Sequence, residues 1–297
     1  TGLGAFAAFT PGVAFSLSSG LVPKRPNIVL FLAYDIACDC ISCYGGSVVK
    51  TPHLDAFAAE GCRFVDFHTC SPVIASARIG LETGHYPQRY GLQAAMAENH
   101  RAPEWSFYGS YSVFDALQSN GYLLRFYRDY DAFAADTVRP STVSATPFCL
   151  VFSSLSSDIG SVDATVGRVR EYLASAGAAS RTFMSFVALS APMRNNLLRG
   201  GKGTLWEGGH RVPAIVAWPR HTRRQDIVEE PTSLLDFFPT LLSLAAIPLP
   251  SGYAPDGIDL SSRLLQGRPL PEHTLLWSYS GSCCARKGRW KIGRAHV

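Results

Sequence analysis

Three settings in this sequence put charge where a ligand could be held. The first is residues 70–84, CSPVIASARIGLETG, a compact turn entering a helix that carries Arg78 in its first turn and closes at Thr83-Gly84. The unpaired N–H groups at a helix N-terminus bind anions. An arginine there adds a planar fork that matches sulfate, phosphate or carboxylate. The second is Lys202, a compact cation in LRGGKGTLWEGG, whose glycines permit a tight loop and close backbone approach to a ligand. The third is Asp35, directly after the apolar run of residues 26–33. Open α/β sheets place ligands at the carboxyl ends of their strands.

The elements that must position these groups read as follows. Residues 26–33 are a buried central strand of a parallel sheet. Thr51 caps a short helix with Pro52 at its first position, and Gly61 stops it. Residues 62–67 alternate like a strand. A helix over 111–121 precedes a strand over 122–127, and residues 127–131 read as a surface loop. Residues 147–152 and 181–188 are further buried strands. Val162, Val166, Val169 and Leu173 form one face of an amphipathic helix with Gly177 at its C-terminus. Asp236 caps a helix in which Pro239 falls in the first turn.

The 297 residues, 47% hydrophobic and 17% charged, describe a globular chain with room for one large α/β domain or two smaller ones. A net charge of +4 without a long Lys/Arg run argues against a nucleic-acid partner. Residues 1–22 are small and apolar but interrupted by Pro11, too broken for a membrane span and compatible with either a secretory-signal remnant or a ragged leader. Of the eight cysteines, Cys38, Cys40 and Cys43 form C-x-C-x2-C. No second Cys/His cluster at zinc spacing follows, so thiols without a metal are expected. Disulfide pairing is open.

Residues 25–130 and 160–292 resemble the sulfatase family. The blocks are RPNIV, CYGGSVVKTP, EGCRF and above all LRGGKGTLWEGGHRVPAIVAWP at 198–219. The family signature has a cysteine, or in some members a serine, then Pro two residues on, Arg four residues on, and Thr-Gly beyond. That Cys or Ser is oxidised to formylglycine, whose hydrate attacks the sulfate ester. With Arg78 and Thr83-Gly84 fixing the register, the nucleophile position is Ile74 and the proline position is Ser76. No formylglycine is expected, because Ile74 has neither an oxidisable nor a nucleophilic atom. Reading Cys70-Ser71-Pro72 as Cys-x-Pro instead puts Ile74 where the arginine belongs.

The resemblance implies an alkaline-phosphatase-like α/β fold, a three-layer sandwich on a mostly parallel central sheet. A leader at 1–24, a main domain at 25–266 with a shortened middle, and an incomplete C-terminal sheet subdomain at 267–297 are expected. It gives Arg78 and Lys202 catalytic and sulfate-binding roles, with Arg128 as a stand-in for a substrate-binding lysine and Tyr130 at a histidine position. It implies calcium on Asp35, but the other ligand positions are Tyr34, Leu189 and Ser190, so the cation is expected to be weak or lost. An alternative alignment of VALSAPM puts Met193 at a histidine position. The lineage reaction is sulfate-ester hydrolysis, and this version is expected to be inactive or nearly so. The alternatives are a non-catalytic binder of sulfated small molecules or carbohydrates, and the product of a decayed or incomplete gene. A secreted, periplasmic or lysosome-like location is implied. The closing IGRAHV reads as a non-native tail after Lys291. Finding it inside a longer uninterrupted gene would refute that.

Overall fold

The computed structural model describes residues 25–46, 48–91, 111–136, 146–155 and 158–293. The expected leader and the last four residues lie outside these. The chain runs β1 (Asn27–Ala33), α1 (Pro52–Glu60), β2 (Cys62–Phe64), β3 (Phe67–His68), α2 (Ile74–Thr83), α3 (Val113–Ser119), β4 (Leu123–Tyr127), α4 (Tyr130–Ala135), β5 (Phe148–Leu155), α5 (Ile159–Ser175), β6 (Thr182–Ala188), α6 (Glu207–His210), β7 (Ala214–Ala217), β8 (Asp226–Val228), β9 (Thr232–Ser233), α7 (Phe237–Leu244), α8 (Ser261–Gln266), β10 (Thr274–Tyr279), β11 (Ser282–Lys287) and β12 (Trp290–Gly293).

A seven-stranded sheet with order β4-β5-β1-β6-β7-β2-β8 forms the centre. Only β7 runs antiparallel to its neighbours, β6 and β2. All seven residues of β1 and of β6 are buried, as their predominantly apolar runs require in a sheet covered on both faces. Helices α1, α4 and α5 pack together on one face, and α2, α3, α7 and α8 on the other. Helix α5 turns Val162, Val166, Val169 and Leu173 inward, and Asp158 caps it by accepting from the N–H groups of Gly160 and Ser161. Each such fully buried side chain contributes about 1.5–3 kcal/mol. The fold class is the expected one, and β10, β11 and β12 form a separate three-stranded antiparallel sheet.

Several local expectations are corrected. The strand expected at 62–67 is interrupted after Phe64, because β2 pairs in the main sheet while β3 leaves to pair with β9. Residues 127–131 are not a plain loop: Asp129 accepts from the Ala132 N–H and starts α4. Thr51 precedes α1 without capping it through its side chain; its Oγ1 accepts from the Ser42 N–H at 2.9 Å and donates to Asp55 at 3.2 Å. The Asp236 side chain does not cap α7 either. It closes a capping box on the preceding turn, accepting from Ser233 N–H at 2.7 Å, and also accepts from Ile258 N–H at 2.8 Å.

Candidate functional site

Parallel pairing of β1 with β6 aligns Ala33 with Ala188, so the residues after both strands emerge side by side. Asp35 turns with φ of 57°, a left-handed conformation that few residues besides glycine adopt and that aspartate tolerates. Its N–H donates to Ser190 Oγ at 3.0 Å, and the Ser190 hydroxyl donates to Asp35 Oδ1 at 2.7 Å. Lys202 reaches the same carboxylate, with Nζ 2.8 Å from Oδ1 and 3.0 Å from Oδ2. Both side chains are half-buried, 27% exposed for Lys202 and 33% for Asp35.

The glycine-rich loop holds Lys202 there by backbone contacts. Lys202 N–H donates to Pro192 C=O at 2.9 Å, and Gly203 N–H donates to Pro72 C=O at 3.3 Å. A Cβ on Gly201 would fall 2.1 Å from the Met193 carbonyl oxygen, so only glycine fits this approach. The loop thus ties the segment after β6 to the turn that leads into α2.

Helix α2 starts at Ile74, which places Arg78 in its second turn rather than its first. Arg78 Nε donates to Glu82 at 2.8 Å along the same helix. Cys70 is fully buried, against Gly80 and the Ser76 and Ala77 carbonyls, and burial pushes its thiol up to about 12. The Cys-x-Pro reading therefore has no accessible nucleophile. Arg128 is 76% exposed and pairs with Asp129 at 2.9 Å. Tyr130 carries the Arg168 guanidinium over its ring at 3.9 Å.

The calcium implied by the family finds a poor donor set. Calcium takes six to eight oxygens. The Tyr34 hydroxyl donates to the Ser153 carbonyl, Leu189 is fully buried and has no side-chain donor atom, and the Asp35 oxygens are held by Lys202 and Ser190. Burial pushes the thiols of Cys38 and Cys43 up to about 12. All eight cysteines are free thiols.

A second polar cluster escaped sequence reasoning. Asp66, His68 and Glu207 offer ligand atoms within 4.8 Å of one another. Arg286 donates to both Asp66 oxygens, at 2.9 and 2.5 Å. Lys291 Nζ donates to Glu207 Oε1 at 2.9 Å and Leu205 C=O at 2.8 Å, and lies 2.7 Å from His210 Nε2. An ammonium only donates, so His210 Nε2 accepts and its Nδ1 carries the proton. That proton points at His68 Nδ1, 3.0 Å away, so His68 Nε2 is protonated and donates to Asp66 Oδ1 at 2.9 Å. Two carboxylates here meet Arg211, Arg286 and Lys291. A divalent ion would have to displace them, so this group is an ion-pair joint rather than a metal site. Signals for it were present in EGGHR at 207–211 and VDFH at 65–68, but not their convergence.

Burial depresses the pKa of both imidazoles, that of His210 strongly. Burial opposes ionisation of Asp66, but its bond with His68 and the charges of Arg286 and Arg211 hold it below the ordinary carboxylate range. Unfolded histidines take up protons near pH 6.5 and these folded ones do so less readily, so the unfolded state binds more protons there. Stability is therefore full above that range and falls as the pH drops from 7.5 to 6. Below 6 the loss is opposed by Asp236, whose carboxyl burial raises to about 6 and which takes up a proton more readily folded than unfolded. Calorimetric melts at pH 7.5 and 6 test this. The midpoint should fall, and should fall less in His210→Gln; a midpoint that rises would contradict it.

The sulfatase family model matches residues 26–140 and 133–247. Human arylsulfatase A is 27% identical over 398 aligned positions, covering 95% of this chain and 78% of that protein. The crystal structure of Ps i-CgsB in complex with k-i-k-neocarrahexaose has a TM-score of 0.77 at 18% identity, covering 92% of this chain and 84% of that one. A phosphonate monoester hydrolase of Agrobacterium radiobacter has a TM-score of 0.70 at 17% identity, covering 91% and 87%. The two structures share the fold, and the family match spans most of the sheet, its helices and the glycine-rich loop: the chain belongs to the sulfatase family.

Proposed function

We propose that this chain is a sulfatase-family protein that does not turn over sulfate esters, and that sulfated small molecules or carbohydrates are its ligand class. The family's reaction is hydrolysis of sulfate esters. The observation that carries the proposal is Ile74, a hydrocarbon side chain at the first position of α2, where the family signature requires an oxidisable cysteine or serine. Lys202, Arg78 and the start of α2 supply the positive charge for a sulfate group, and no metal is needed for that contact. The arylsulfatase relative and the carbohydrate-bound neighbour support this ligand class.

A shortened middle belongs to this reading. The family model matches in two pieces, 26–140 and 133–247, and the alignment with the human relative needs 398 positions. Export to a secreted, periplasmic or lysosome-like compartment is inferred from the family. Among the described residues no helix is long and apolar enough to cross a membrane.

Hydrolysis of 4-nitrophenyl sulfate tests the proposal. The expected rate of the purified chain equals the buffer rate. Saturable turnover that disappears in Lys202→Met would overturn it. Saturable binding of 4-nitrophenyl sulfate, lost in Lys202→Ala, would support the ligand class. A cooperatively folded chain that binds no sulfated compound would leave only the decayed-gene alternative.

A further inference from the structure

We propose that Lys202 is the resident cation of this site: its ammonium holds Asp35 in place of a divalent metal, and Asp35 in turn occupies the ammonium that an incoming sulfate must recruit. The family's cation and anion positions thus satisfy each other within the chain. Three observations converge. The ammonium bridges both Asp35 oxygens at 2.8 and 3.0 Å. Ser190, at a family metal-ligand position, spends its hydroxyl on Asp35, donating to Oδ1 and accepting from the backbone N–H. Tyr34, adjacent to Asp35, directs its hydroxyl to Ser153. A lysine has three donors and no acceptor, so it satisfies one carboxylate but cannot share that carboxylate with a metal without like-charge repulsion.

The arrangement is also fixed from the backbone. The loop cannot withdraw Lys202 freely, because Gly201 abuts Met193 C=O, and Lys202 and Gly203 are hydrogen-bonded to Pro192 and Pro72. Asp35 is equally tied, by its left-handed φ and the two Ser190 bonds. A sulfate ligand therefore competes with a tethered carboxylate, and removing that carboxylate's charge should strengthen anion binding. The inference rests on sulfate as the ligand class only in this last step; the absence of a metal requirement stands apart from it.

The experiment uses the full chain with calcium chloride and sodium sulfate as separate probes. Wild-type protein in millimolar calcium should show an unchanged melting midpoint and bind less than a tenth of an equivalent of calcium by equilibrium dialysis. One bound calcium per chain, lost in Asp35→Asn, would overturn the proposal. By calorimetric titration, Asp35→Asn, which keeps an acceptor for Ser190, should bind sulfate roughly tenfold tighter than wild type. Asp35→Ser serves if the amide variant does not fold. Asp131→Asn removes the same charge from an exposed surface position and should leave sulfate affinity unchanged. Equal gains in Asp35→Asn and Asp131→Asn, or no gain in Asp35→Asn, would overturn the competition step. Turnover of an aryl sulfate by wild type would sink the proposed function while leaving the calcium result standing, so the two failures are distinguishable.

Discussion

Replacing Arg286 with methionine should destabilise the protein by about 3 kcal/mol, the low end of the cost of removing one partner from a buried ion pair. The Arg286 side chain is 14% exposed and that of Asp66 10%. The guanidinium makes two bonds to the carboxylate, a geometry that methionine cannot imitate. What remains near Asp66 is His68 at 2.9 Å and Arg211 at 3.5 Å, which keeps the loss from being larger. Arg286 lies in β11 and Asp66 between β2 and β3, so the pair fastens the C-terminal sheet to the main domain. Urea unfolding measures the cost. The double variant Asp66→Asn with Arg286→Met should recover part of it, because no charge is then left unpaired. A loss below about 0.5 kcal/mol for Arg286→Met would place the pair among exposed contacts of little worth and refute the joint.

Much of the frame was legible because it is written in local pattern. The predominantly apolar runs of β1 and β6, the spacing of Val162, Val166, Val169 and Leu173, and the glycines around Lys202 are each legible in short-range sequence. The site was half legible. Asp35 and Lys202 were identified separately, one for a cation and one for an anion, although they lie 167 positions apart and bind each other. That outcome depends on β1 and β6 being sheet neighbours and on the loop's backbone contacts, neither of which a motif encodes. Arg128 was placed by its offset from a strand, whereas the capping preference of Asp129 decides the local structure and leaves Arg128 in solvent. The Asp66 to Arg286 contact spans 220 positions, and single charged residues at that separation carry no periodic signal.

Trp277→Ala should release the C-terminal sheet while the main sheet stays folded. Trp277 is 2% exposed and forms, with Leu275 and Cys284, a small apolar cluster separate from the main core. Its ring stacks on His210 at 4.2 Å, and its indole N–H donates to Thr69 C=O at 2.7 Å. Truncating such a residue costs about 3–5 kcal/mol. Little else can absorb that loss. A cavity of about 530 Å³ separates Leu198 and Trp206 from Cys283, and one of about 800 Å³ lies beside Tyr86 and Leu276. With Trp277 gone, the sheet is held mainly by the polar contacts of Arg286 and Lys291 and the Leu276 N–H bond to Tyr86, and water competes for those once the apolar cover opens. Hydrogen exchange should therefore show lost protection in β10, β11 and β12 with β1, β5 and β6 unchanged, as expected of a locally cooperative unit. Trp277→Phe keeps most of the buried ring and loses only the bond to Thr69, so it should cost about 1 kcal/mol and leave the sheet docked. Uniform loss of protection across β1, β5 and β6 in Trp277→Ala would instead mean that the two sheets unfold as one, and that the joint at Asp66 and Glu207 is part of the main core.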